Sequence, residues 1–387
     1  MADLLRIVQL NLAYDAQLAT PDELLARYHT LTGWSRALAG AGAHVHVIQR
    51  FGADAHVDQD GVRYQFVQDG EAGMPSPWSL LPRIADAVRH AEPDIVHVNG
   101  LMFPGVVQAL RRSLPLRLAI VLQDHSGFIP RVGSWPLKQR RIDRWREAFT
   151  LVDAVTFTSA ALSDRWHEVG LPDDARILEI PEASTAFSPI DRDTARRRTG
   201  MGGSPALLWV GRLDRNKDPM TLLAGIALTV SQVPDYRCWM IYNSEEIEGQ
   251  VKAFVATSPG LRDRVELLGS IPHDRLHEYY SAADIFVSGS HHEGSGYALI
   301  EALACGLTPC VTDIPAFRIL TGACGARWPP GNANACAAAL VNLARRDLVT
   351  ERILNRDHFE RTLTWNAIGR QTISAYQALV QRRALDE

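Results

Sequence analysis

The stretch SGSHHEGSGYALIEALACG, running from Ser288 to Gly306, sets two carboxylates, Glu293 and Glu301, on either side of seven residues that begin glycine-rich and end apolar. Gly294 and Gly296 let a backbone approach a ligand closely and accept a positive φ. The apolar run reads as a helix starting near Gly296 or Tyr297, where N–H groups lack intrahelical acceptors and the helix dipole is positive. Such a turn suits a phosphate. Glu301 falls about one turn further along, in a helix otherwise apolar, and a carboxylate there needs partners that justify its burial. Ribose hydroxyls would serve. Upstream, WVGRLDRNKDPMTLLAGI ends a strand on Gly211 and Arg212 and puts Lys217 just before a helix. Two cations so placed neutralise a diphosphate without a metal, and together these parts make a sugar-nucleotide site.

The elements that must position these groups alternate. LLRIVQL, HVHVIQRF, VRYQFV, DIVHVN, RLAIVLQ and AVTFTS read as strands, with PDELLARYHTLTGWSRALAGAG, PWSLLPRIADAVRHAEP and MFPGVVQALRRSL as helices between them. That order implies a parallel sheet covered on both faces. The periodicity fails in PEASTAFSPIDRDTARRRTGMGGSP, which reads as a linker over roughly residues 181 to 204. Beyond it ALLWVG, RCWMIY, VELLG, IFVSGS and PCVTD alternate with DPMTLLAGIALTV, DRLHEYYSAA and YALIEALACG. The expected architecture is α/β, with two Rossmann-like domains facing across a cleft lined by the carboxyl ends of both sheets, where open α/β sheets bind ligands.

The sequence resembles the retaining glycosyltransferases of the large GT-B family 4, also called glycosyl transferases group 1. The resemblance rests on EGSGYALIEALACG with both glutamates in register, on Gly211, Arg212 and Lys217, on VELLGSIPHDRLHEYYSAADIFVSGS leading in and on TPCVTDIPAF leading out. It implies that Arg212 and Lys217 hold the donor diphosphate, that Glu293 touches the sugar hydroxyls and that Glu301 touches the ribose. It also implies that backbone amides across Gly294, Ser295, Gly296, Tyr297 and Ala298 complete the diphosphate cradle. In VLQDHSG, His125 falls where the family often has a histidine pointing at the donor sugar. The implied domains are an acceptor-side domain over 1–187, a nucleotide-sugar domain over 188–364, and a C-terminal helix, 365–387, that crosses back to the first. The chain differs from the family in three places: NLAYDAQLATPDELL lacks glycine after the first strand, MIYNSEE stands where a Gly-x-Gly is common, and IPAF replaces further glycines.

Composition limits the alternatives. With 387 residues the chain suits two domains, and 46% apolar with 22% charged residues is ordinary for a globular protein. A net charge of −4 has none of the basic excess of a nucleic-acid binder. Five scattered cysteines read as reduced packing residues. The start, MADLLRIVQLNLAY, has no signal-like pattern and no run is long enough to span a bilayer, so a cytoplasmic protein is expected. RVGSWPLKQRRIDRWREAF, over residues 131–147 and a little beyond, gathers Arg131, Lys138, Arg140, Arg141, Arg144 and Arg146 with Trp135 and Trp145; it can lie on an anionic membrane surface at the inner face or be a solvated helix face. His291 with His292, His273 with His277, and the Asp-x-Asp pairs Asp58/Asp60 and Asp191/Asp193 lack a metal-binding pattern, and no metal is expected. Asn99 ends a strand at the expected cleft and reads as structural.

The resulting expectation is a metal-independent hexosyltransferase of polysaccharide or glycoconjugate biosynthesis, with no cofactor beyond its nucleotide-diphosphate sugar donor. Its acceptor is a hydroxyl of a glycan, a lipid-linked sugar or a small molecule. The alternatives are a nucleotide-sugar epimerase or hydrolase on the same fold and a non-catalytic sugar-nucleotide-binding subunit; a nicotinamide-binding protein ranks last, because no GxGxxG follows the first strand.

Overall fold

The computed structural model describes residues 4–13, 15–68, 82–115, 118–124, 137–244 and 246–385. The chain divides into two compact units, Met1–Glu182 with Trp365–Glu387, and Ala183–Thr364. The first holds β1 (Arg6–Asn11), β2 (His44–Phe51), β3 (Ala55–Gln59), β4 (Val62–Gln68), β5 (Ile95–Asn99), β6 (Ala119–Gln123), β7 (Ala154–Phe157) and β8 (Ile177–Glu179). Their order in the sheet is β3-β4-β2-β1-β5-β6-β7-β8. The second holds β9 (Ala206–Gly211), β10 (Arg237–Tyr242), β11 (Val265–Gly269), β12 (Ile285–Ser288), β13 (Thr308–Thr312) and β14 (Ala326–Trp328), in the order β11-β10-β9-β12-β13-β14. Every pairing is parallel except β3 with β4. Parallel strands flanked by helices lose both faces to the core, and β12 and β13 are buried at every residue.

Several elements depart from the sequence reading. The β3–β4 hairpin was not anticipated, although Asp60 and Gly61 between the strands carry φ values of 54° and 76°, the double positive φ that a two-residue Asp-Gly turn favours. β3 alternates weakly because it is a largely exposed edge. The long first helix is two, Pro21–Arg27 and His29–Gly40, broken at Tyr28. The strands β8 and β14, three residues each, were too short for any period to show.

The arginine-rich linker is also more than a tether. Asp191 caps a helix, Arg192–Thr199, by accepting from the Thr194 amide at 2.8 Å, and Gly200 ends it at φ 72°. Arg192 and Arg196 each reach the buried Asp284 carboxylate at 2.9 Å, and that carboxylate also accepts from the Ala206 amide at the head of β9. Charge rather than an apolar stripe holds this helix, and charge has no period to read.

The C-terminal helix Trp365–Leu385 packs against His29–Gly40 through two glycines. A Cβ on Gly33 would sit 2.4 Å from the Trp365 ring, and one on Gly369 would sit 2.3 Å from the Ala37 carbonyl oxygen. Further along, Gln371 donates to the Glu179 carbonyl at 2.8 Å and Arg383 pairs with Asp153, which also takes Arg111.

Of residues 131–147, those from 131 to 136, with Arg131 and Trp135, lie outside the described residues; the rest fall in the helix Leu137–Phe149. Ile142, Trp145, Ala148 and Phe149 are buried, with the Trp145 ring 5.5 Å from Phe149 and 5.7 Å from Trp166. These four apolar side chains of the helix are therefore committed to the core, as in a helix whose charged side faces solvent. Among the described residues no helix is long and apolar enough to cross a membrane. All five cysteines are free thiols. Burial pushes the Cys238 thiol up to about 12, which suits a packing role.

Candidate active site

In the second sheet β9 lies between β10 and β12, so the strand order reverses at the β9–β12 pair, and the loops after both strands leave their carboxyl ends side by side. This is the crevice where an open α/β sheet takes its ligand. The two loops are stitched together. A Cβ on Gly289 would lie 2.7 Å from the Asp218 carbonyl oxygen. The His291 amide donates to the Asn216 carbonyl at 2.8 Å, and the Asn216 side chain donates to the His292 carbonyl at 3.0 Å.

That stitching brings opposite charges together. Lys217 Nζ pairs directly with Glu293 Oε1, and both side chains are largely buried. Asp214 accepts from the Lys217 amide at 2.9 Å through one oxygen and meets Arg212 Nη2 at 3.2 Å with the other. Arg212 leaves 61% of its side chain in solvent, so its guanidinium is steered but not enclosed. Asp218 adopts φ 40°, which a residue with a side chain rarely does. It caps the helix Pro219–Leu228 from the Thr221 amide and holds His291 Nε2 at 3.0 Å. Gly296 starts the helix Tyr297–Ala304 at φ 67°, and a Cβ there would come within 2.5 Å of Leu320 Cδ1. The positive φ favours glycine, and a side chain there would also displace Leu320.

Glu301 projects from that same helix and is buried. Tyr280 donates to Oε2 at 2.9 Å, and His273 Nε2 lies 2.9 Å from Oε1. Burial, reinforced by the Glu301 charge, holds the Tyr280 hydroxyl far above its ordinary pKa, so it remains a donor. The hydrogen bond to Glu301 raises His273, against a smaller effect of burial. The Phe187 ring lies 5.0 Å from the imidazole at 32°.

Of the residues singled out in the sequence, Lys217 and Glu293 meet, and Arg212 is tied to the Lys217 backbone through Asp214. Gly294, Ser295, Gly296, Tyr297 and Ala298 form the turn into the helix that carries Glu301. Gly211 closes β9, where a Cβ would crowd the Trp209 ring at 3.2 Å. His125 lies outside the described residues. Sequence reasoning passed over Asp214, Asp218 and Tyr280, and weighed His273 only as a metal ligand. The Asp-Pro pair before a helix was a readable signal for Asp218; nothing local linked HDRLHEYY to Glu301. His277 bonds the Asp274 carbonyl instead of pairing with His273, Asp58 pairs with Arg63, and Asp60 pairs with Arg36.

The first sheet has its own reversal, between β1 and β5. At its carboxyl ends Asn99 donates to the Asn11 side chain, and His97 joins Asn99 at 3.0 Å, Gln123 at 2.6 Å and the Tyr376 hydroxyl, with the buried Asp124 following β6.

Residues 30–181 match the family described as Glycosyltransferase Family 4, and residues 204–346 match Glycosyl transferases group 1. The chain belongs to these glycosyltransferases. It is 28% identical over 259 residues to a GDP-mannose:cellobiosyl-diphosphopolyprenol alpha-mannosyltransferase of Xanthomonas oryzae pv. oryzae, a match covering 65% of this chain and 63% of that protein. It is 29% identical over 312 residues to a D-inositol 3-phosphate glycosyltransferase of Geodermatophilus obscurus, covering 75% and 68%. The match to the first relative thus spans a little under two thirds of that protein's length. In fold it is similar to a sucrose-phosphate synthase from Thermosynechococcus elongatus, at a TM-score of 0.67 and 24% identity over 97% of this chain and 100% of that one. The GT-B fold of the glycosyltransferases is therefore the fold of this chain.

Proposed function

We propose that the protein moves a hexose from a nucleotide-diphosphate sugar to an acceptor hydroxyl, with retention at the anomeric carbon and without a metal. The observation that carries this reading is the Lys217–Glu293 pair at the β9–β12 reversal, followed by the helix Tyr297–Ala304 that carries a second, buried carboxylate, Glu301. Without a donor the two charges neutralise each other. A diphosphate gives Lys217 and Arg212 a doubly charged partner and frees Glu293 to accept from the sugar's hydroxyls, while Glu301 accepts from the ribose.

As the bond between the anomeric carbon and the β-phosphate oxygen breaks, negative charge grows on the departing diphosphate. Lys217, Arg212 and the leading amides of the helix Tyr297–Ala304 stabilise that charge more than they stabilise the bound donor, which is the condition for acceleration. The acceptor oxygen attacks from the face the diphosphate leaves, and a phosphate oxygen takes the acceptor's proton. Bonds and protons balance without a carboxylate pair of the glycosidase kind. The relatives' names, one specifying a diphosphopolyprenol-linked sugar and one an inositol phosphate, support an acceptor whose reacting group is a sugar or cyclitol hydroxyl.

The test supplies uridine- and guanosine-diphosphate hexoses with and without a panel of glycoside and cyclitol acceptors, in the presence of EDTA, and follows the products by NMR. Acceptor-dependent release of nucleotide with the donor's anomeric configuration in the product is expected. Release without any acceptor, an inverted product, or a strict need for a divalent ion would overturn the reading.

A further inference from the structure

His273 has no place in the reading above, yet it touches the buried carboxylate of Glu301. Glu301 keeps 9% of its side chain exposed, whereas the imidazole beside it keeps 66%. The carboxylate is thus nearly enclosed, while the histidine that contacts it is open to solvent. Its two oxygens are fixed from different elements: Oε2 by Tyr280 on the helix Leu276–Ala282, and Oε1 by His273 on the short turn preceding that helix. Tyr280 is fully enclosed and keeps its proton, so that contact is constant. The His273 contact is the adjustable one, because an exposed imidazole changes charge near neutral pH.

The surroundings of His273 make its role directional. Phe187 covers one face of the ring and fixes its plane. The charged and titratable groups around it are Glu301, Asp274 on its own turn, Tyr280 and, across Phe187, His277. Both carboxylates favour the imidazolium. Each carboxylate oxygen has two lone-pair sites, so an oxygen that accepts from His273 can still accept from a ribose hydroxyl.

Resting on the reading that Glu301 meets the ribose, we propose that His273 is a positioning residue that holds the Glu301 carboxylate at the ribose hydroxyls, and that its charge state sets how tightly the nucleotide is held. The sign follows from the geometry. Glu301 raises the pH at which His273 gives up its proton. Below that pH an imidazolium both orients the carboxylate and attracts an anionic ligand; as pH rises through it, the cation is lost and binding weakens.

The experiment is calorimetry on the full chain with uridine diphosphate and guanosine diphosphate between about pH 6 and 8.5, a window that spans a raised histidine. For whichever nucleotide binds, wild-type affinity is expected to fall about fivefold to tenfold more across the window than that of His273→Gln, which keeps an N–H donor but no charge. The nucleotide's terminal phosphate titrates identically against both proteins and cancels in the ratio. The second arm uses the 2′,3′-dideoxy diphosphate. Loss of the ribose hydroxyls should cost the wild type about tenfold and His273→Ala about twofold or less, the non-additivity expected of groups acting on one another. Parallel pH profiles for wild type and His273→Gln, or an equal ribose effect in wild type and His273→Ala, would overturn the inference while leaving the site reading intact. Failure of both nucleotides to bind would overturn both.

Discussion

The two sheets reverse their strand order in the same way and equip the reversal differently. Where β9 meets β12, the loops present Arg212, Lys217, Asp214, Asp218, His291 and Glu293, nearly all in charge-assisted contacts. Where β1 meets β5, the strand ends present Asn11, His97, Asn99 and Gln123, joined by hydrogen bonds among amide side chains and an imidazole. One topology therefore supplies two crevices of different chemistry. A diphosphate needs cations and amides, which the second unit's reversal offers; an uncharged polyol needs a mixed set of donors and acceptors, which amide side chains provide.

The contrast can be broken by exchanging the roles. The largest expected effect belongs to Lys217→Ala, which removes a cation from the charge that grows on the leaving diphosphate. Turnover should fall by about two to three orders of magnitude, the usual loss for one transition-state donor, with Arg212→Ala close behind. Steady-state kinetics on folded variants measures both, and near-wild-type turnover would remove the site from β9. Next, Glu301→Ala should weaken nucleotide diphosphate binding about tenfold or more, whereas Glu293→Ala should leave that affinity within about threefold and lower the rate of transfer. Calorimetry giving the opposite pattern would exchange the two carboxylates' roles.

A smaller effect tests the backbone of the charged crevice. Gly296→Ala forces a side chain into φ 67° and against Leu320, at a cost of about 1 to 3 kcal/mol that a denaturant midpoint would register. An unchanged midpoint would show that the turn relaxes freely. The smallest effect is expected at the first sheet's reversal: Asn99→Ala, which removes a side chain held by Asn11 and His97, should cost about 1 kcal/mol of stability and leave the donor's KM unchanged. A change in donor KM instead would mean that the division of chemistry between the two reversals is wrong.

The charged crevice could be read from the sequence because its parts are local. Gly294, Gly296 and Glu301 lie within nine residues, and a glycine, a helix start and a carboxylate each have a meaning that depends on near neighbours. The same holds for Gly211 to Lys217. What the sequence withheld is what spans distance. Nothing near His273 announces Glu301, 28 positions on. Nothing near Arg192 or Arg196 announces Asp284, so a helix held by that buried carboxylate read as a linker. Trp145 misled for a related reason: a tryptophan among arginines suits an interface, and only the positions of Phe149 and Trp166 show that it belongs inside.

The division of the chain has a consequence in time as well as in space. The second unit, Ala183–Thr364, is continuous, so every residue its core needs is present once Thr364 has been synthesised. The first unit begins earlier and is completed later. Its helix His29–Gly40 carries a glycine that waits for the Trp365 ring, its buried His97 waits for Tyr376, and Asp153 waits for Arg383. Because domains close as units while the chain is being made, the part synthesised first is the part that matures last, and during that interval the surface reserved for Trp365–Leu385 is bare to the cell.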